Sequence, residues 1–89
     1  MRITPDTSVL VRGNTNAAGP AKELINTVER TGSQLVVSSF ILAEVERVLN
    51  YPRMQDLYHL SGAEIRRYLL YIESLSDVVS TVTGPRIVP

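Results

Sequence analysis

Asp6 and Glu44 are the residues of this chain whose type and setting most suggest chemistry. Asp6 closes the segment Arg2-Ile3-Thr4-Pro5-Asp6 and leads into Thr7-Ser8-Val9-Leu10-Val11, while Glu44 lies within Phe40-Ile41-Leu42-Ala43-Glu44-Val45. An acid beside an apolar helical face is costly to keep there without a partner or a task. Carboxylate oxygens are the ligands that hard cations such as Mg²⁺ and Mn²⁺ select, and these ions keep several waters and bridge to phosphate. Attack of a metal-bound water on a phosphodiester is the reaction that such a pair would serve. Each acid also has a purely structural reading. Asp-Thr-Ser is a good helix N-cap, and Glu44 fits a solvated helix position as Glu46 does. Against the stripe Ile41, Val45 and Val48, however, Glu44 flanks the inner side and Glu46 points away.

Other reactive residue types carry weaker signals. His59 is the single histidine and has no acid or serine at a recognisable spacing, so it reads as a surface residue. Arg66 and Arg67 are adjacent and read as the solvated side of a helix. Arg12, close to Asp6, is the better candidate for touching a phosphate, with an ordinary loop residue as the alternative. Tyr51, Tyr58, Tyr68 and Tyr71 are possible stacking platforms, although Tyr68 and Tyr71, three apart on a helix, are more simply part of a core.

Composition narrows the function classes. The 89 residues make one domain or part of one, and a chain of this size buries only about 60–65% of its unfolded surface. The 44% apolar content fits a globular protein. Zero formal net charge provides no basic field for non-specific nucleic-acid binding. The absence of cysteine excludes disulfides and thiolate zinc sites. No run approaches the roughly 18 apolar residues of a membrane span, and an acid at position 6 does not suit a secretory leader. The expectation is a soluble cytoplasmic protein.

The elements that must position the acids follow from periodicity. Arg2 to Asp6 reads as a short strand, with Pro5 confined to an edge, end or bulge, and Val9 to Val11 as a helical turn. Arg12 to Gly19 is a polar loop. Pro20 opens a helix at its first position, Ala21, Leu24, Ile25 and Val28 form its buried stripe, and Gly32 stops it. Leu35-Val36-Val37 is a strand buried on both faces. Ser38 or Ser39 caps a helix running to about Asn50, which Pro52 ends. Arg53 to Tyr58 forms a further turn. Ser61 to Glu64 is a capping box before a helix whose inner face is Ile65, Tyr68, Leu69, Ile72 and Leu75. Asp77 to Val82 is a third strand with Val78 and Val79 at its core. Alternating strands and helices predict an α/β sandwich on a parallel sheet. Ligands of such sheets bind beyond the carboxyl ends of the strands. Asp6 falls at that end of the first strand, and Glu44 in the second turn of the helix leaving the second, so neighbouring strands would face both acids into one crevice.

In combination these segments resemble the PIN domain, in particular the small prokaryotic PIN proteins of toxin–antitoxin systems. Asp6-Thr7-Ser8-Val9-Leu10-Val11 is similar to the family's opening Asp-Thr-Asn/Ser-Val-Leu-Val. Leu35-Val36-Val37-Ser38, followed by Ile41-Leu42-Ala43-Glu44-Val45 and Val48-Leu49, is similar to its second strand and the helix carrying its second acid. Tyr51-Pro52-Arg53 and Leu60-Ser61 match the linker and the start of the third helix. The resemblance implies a three-layer α/β/α sandwich, here truncated to about three strands, with residues 1–89 as a single incomplete domain. It implies a Mg²⁺- or Mn²⁺-dependent ribonuclease site in which Asp6 and Glu44 are ligands and Thr7 and Ser8 orient them; the residues themselves add Ser38 as support at the helix start and Arg12 as the candidate for an RNA phosphate. The family's remaining acids fall after the third strand. Asp56 and Asp77 do not replace them, since Asp77 lies at the amino end of its strand. Activity in this chain alone is therefore expected to be weak or absent. The resemblance further implies an antitoxin protein as partner, and an open first strand covered by homodimerisation or by a second polypeptide. The alternative is a non-catalytic interaction module that uses that edge and its helices.

Overall fold

The computed structural model describes residues 2–79. The order of elements is β1 (Arg2–Ile3), α1 (Thr7–Arg12), α2 (Pro20–Thr31), β2 (Gln34–Ser38), α3 (Ser39–Leu49), α4 (Pro52–Tyr58), α5 (Gly62–Ser74) and β3 (Ser76–Val79). The fold class is α/β, with three parallel strands in the order β1-β2-β3.

The helix boundaries follow local chemistry. Pro20 begins α2, and Gly32 ends it in the left-handed conformation (φ 73°), which costs a glycine nothing. The Ser38 hydroxyl accepts from the Ile41 N–H at 3.0 Å and so caps α3. Both bonds of the expected capping box are made at α5: the Ser61 hydroxyl accepts from the Glu64 N–H, and the Glu64 carboxylate accepts from the Ser61 N–H.

Strand order decides the layers. The crossovers β1-α1-α2-β2 and β2-α3-α4-α5-β3 run the same way across the sheet, and right-handed crossovers of one direction place their helices on one face. Leu35 and Val37 point to that face and join one core with Leu10 and Val11 of α1, Ile25 and Val28 of α2, Leu42, Val45 and Leu49 of α3, and Ile65, Tyr68, Leu69 and Ile72 of α5. Among the described residues no helix covers the opposite face. The three-layer arrangement is therefore visible only as two layers.

Three strand expectations change. The first strand ends at Ile3 rather than Asp6, because Asp6 turns its side chain back to cap α1. Val36 is only half-buried, so β2 is not buried on both faces. Val78 and Val79 are 43% exposed each; they lie on an outer strand, and Val79 shares the uncovered face with Val36. The expected continuation of this strand to Val82 lies outside the described residues.

Candidate functional site

Asp6 is placed by two short-range constraints. Its Oδ1 accepts from the Val9 N–H at 3.0 Å and from the Ser8 hydroxyl at 2.9 Å. The Val9 bond, followed by the Ser8 hydroxyl and in smaller part the positive charge of Arg12, holds this exposed carboxyl below its ordinary range. Asp6 is thus ionised at neutral pH and serves as the N-cap of α1. The structural reading of this residue holds, and its second oxygen has no hydrogen-bond partner among the described residues. Ser8 thus fixes one oxygen of Asp6. Thr7 is the first, half-buried residue of α1.

Glu44 lies in the second turn of α3 with its side chain 29% exposed. Its Oε2 accepts from Arg47 Nη2 at 2.7 Å, one helical turn on. Helix α1 packs directly on α3, so the element capped by Asp6 touches the element that bears Glu44. Ser38, at the carboxyl end of β2, spends its hydroxyl on the cap of α3. Among the described residues no three or more His, Cys, Asp or Glu side chains cluster as a metal site.

Arg12 occupies the last turn of α1 and is exposed. Together with Ser8 and Tyr58 it lines two adjoining hollows. One, of about 430 Å³, extends towards Pro20 and Leu24. The other, of about 470 Å³, extends towards Val48, Met54 and Leu57. Neither is lined by Asp6 or Glu44.

Three of the remaining candidates have structural partners or places, while Tyr51 stays 47% exposed. His59 is exposed and closes α4 in the left-handed conformation (φ 55°). Tyr68 is buried and donates to the Leu10 carbonyl at 2.6 Å, tying α5 to α1; burial pushes its phenol well above the ordinary value. Tyr71 donates to Glu29 at 2.7 Å, and partial burial together with that carboxylate pushes its phenol up to about 12. The Tyr68 ring is therefore buried in the core, whereas Tyr71 is half-buried. Asp77 pairs with Arg2 at 2.8 Å near the amino ends of the strands.

Two features escape sequence reasoning. Asn14 is completely buried; it donates to the Val11 carbonyl and accepts from the Asn16 N–H, both at 2.8 Å, so it braces the loop between α1 and α2. Asn16 in turn donates to the Tyr58 carbonyl at 2.7 Å, which fixes α4 beside Arg12. The run Gly13-Asn14-Thr15-Asn16 reads only as a polar loop, and nothing in its composition marks a buried amide. The Glu44–Arg47 pair is different, since its i,i+3 spacing was a usable signal.

Among the described residues no helix is long and apolar enough to cross a membrane. No protein-family model matches the chain, and neither a curated protein nor a solved structure matches it significantly.

Proposed function

We propose that this chain is a PIN-type, toxin-like component related to Mg²⁺- or Mn²⁺-dependent endoribonucleases, with Asp6 and Glu44 as its metal-binding carboxylates. The observation that carries the reading is the packing of α1 on α3: α1 follows β1 and is capped by the exposed Asp6, and α3 follows β2 and bears the half-buried Glu44. The donor chemistry fits a hard cation held by two carboxylates and several waters. Asp6 Oδ2 and Glu44 Oε1 have no hydrogen-bond partner among the described residues. Bound there, the ion would supply a Lewis acid and an acidified water for phosphodiester hydrolysis. The chain's own groups do the rest of the positioning. Ser8 and the Val9 N–H keep Asp6 ionised and aimed, and Arg12 offers a cation to an RNA phosphate. With two carboxylates the alignment of nucleophile and leaving group is loose, so turnover is slow. The reading carries with it a PIN-like sandwich, a cytoplasmic setting, and an antitoxin protein as partner.

RNA cleavage tests it. Slow cleavage in Mn²⁺ should disappear with chelator and in both Asp6→Asn and Glu44→Gln. Cleavage undiminished in both variants would contradict the assignment.

The second reading is a non-catalytic interaction module. It is favoured by Arg47, which takes one oxygen of Glu44 at 2.7 Å. If Arg47→Ala produces no metal binding where the wild type has none, this reading prevails.

A further inference from the structure

The uncovered face of the sheet has a defined chemistry. Arg2, Gln34 and Asp77 come from three different strands and are linked across it: Arg2 donates to Gln34 Oε1 at 3.4 Å and to Asp77 Oδ2 at 2.8 Å. Alternation along each strand adds Val36, Ser38 and Val79 to the same face. Purely parallel sheets are otherwise found covered on both faces, and among the described residues the crossovers supply helices to only one.

The charge pattern is self-complementary. The basic residue lies on one outer strand, the acidic residue on the other, and β2 runs between them. Consider two copies stacked face to face about a two-fold axis parallel to β2. Each β1 then lies over the partner's β3, with the sheets about 10 Å apart. Arg2 of each copy meets the partner's Asp77, which converts two internal ion pairs into one alternating network of four charges. Val36, on the central strand, meets its own counterpart near the axis. A copy placed with the axis across the strands would instead put like strands over each other and oppose like charges.

We propose that a second copy of this chain covers the open face of the sheet, with the two-fold axis along β2 and Arg2 of each copy facing the partner's Asp77. Three strands make a narrow face, so the interface belongs with the small, transient ones and weakens with salt. This inference is independent of the metal reading.

The test is a mixing experiment followed by sedimentation and light scattering across micromolar to millimolar protein. Wild type should approach twice the chain mass at the top of that range and dissociate on dilution. Arg2→Glu makes the face wholly acidic and Asp77→Arg makes it wholly basic, so each alone should stay monomeric. An equimolar mixture of the two should associate at least as tightly as wild type, which an ion pair internal to one copy cannot explain. Val36→Lys leaves the Arg2–Asp77 pair in place and should abolish association by like-charge contact at the axis; it serves if either charge variant fails to fold. A wild type that is monomeric throughout, or a mixture of folded variants that stays monomeric, overturns the proposal and leaves the face to a different partner.

Discussion

On the helical side of β2, Leu35 and Val37 are 0% and 2% exposed, whereas on the other side of the same strand Gln34 is exposed and Val36 half-buried. Val36 and Val37 are identical neighbours with opposite fates. Their intrinsic strand preference is the same, so propensity does not decide burial here. The direction of the two crossovers decides it, by delivering the helices of the described residues to one layer. The covered face is a hydrocarbon core continuous through α1, α2, α3 and α5. The open face is held by a polar strip, Arg2–Gln34–Asp77.

The sharpest way to break this comparison is to truncate both faces of one strand. Leu35→Ala removes a side chain that the surroundings cannot replace and should cost about 2–5 kcal/mol in chemical denaturation. Val36→Ala should stay near the roughly 0.5 kcal/mol typical of surface sites. Equal losses would mean that the open face is covered within one chain. Next comes Gly13, where an added Cβ would collide with Ile25 Cδ1 and also approach the Ala21 and Val9 carbonyls at 3.3 Å. Because Ile25 is itself buried, Gly13→Ala should cost about 1–3 kcal/mol, the range for overpacking. On the open face, Arg2→Ala removes an ion pair whose members are 60% and 44% exposed. Its effect on monomer stability should fall between about 0 and 1 kcal/mol and shrink further in salt. The smallest effect is the pH response of the α1 cap. Asp6 is held below its ordinary value of 3.8, so its contribution is present above that pH and is lost as pH falls through the lower folded value. Acid titration of wild type beside Asp6→Asn, which keeps a capping oxygen, should show that increment only in the wild type.

Much of the fold is legible in local signals. Pro20 and Gly32 bracket α2, and the Ser61 capping box opens α5, because each acts on backbone groups within a turn or so of itself. The α/β class follows from alternation of elements. Which side of a strand is covered is not local. Val78 and Val79 read as core because a β-branched pair looks the same under a helix or facing water; strand order exposes them. The Arg2–Asp77 contact joins residues 75 apart, beyond any spacing rule. At the candidate site, Asp6 and Ser8 were legible as a cap and its support. The partner of Glu44, Arg47, is absent from the sequence reading although it stands three residues on; a charge pair and a metal ligand look alike until the side chains are placed.

The central functional claim is that Asp6 and Glu44 bind one divalent cation together. Calorimetric titration of Mn²⁺ into wild type, Asp6→Asn and Glu44→Gln tests it most directly, since Asn preserves the α1 cap and separates metal binding from folding. The account predicts one saturable site in the wild type that is lost in both variants. Wild-type binding that both variants retain, or no binding at millimolar Mn²⁺, would contradict it.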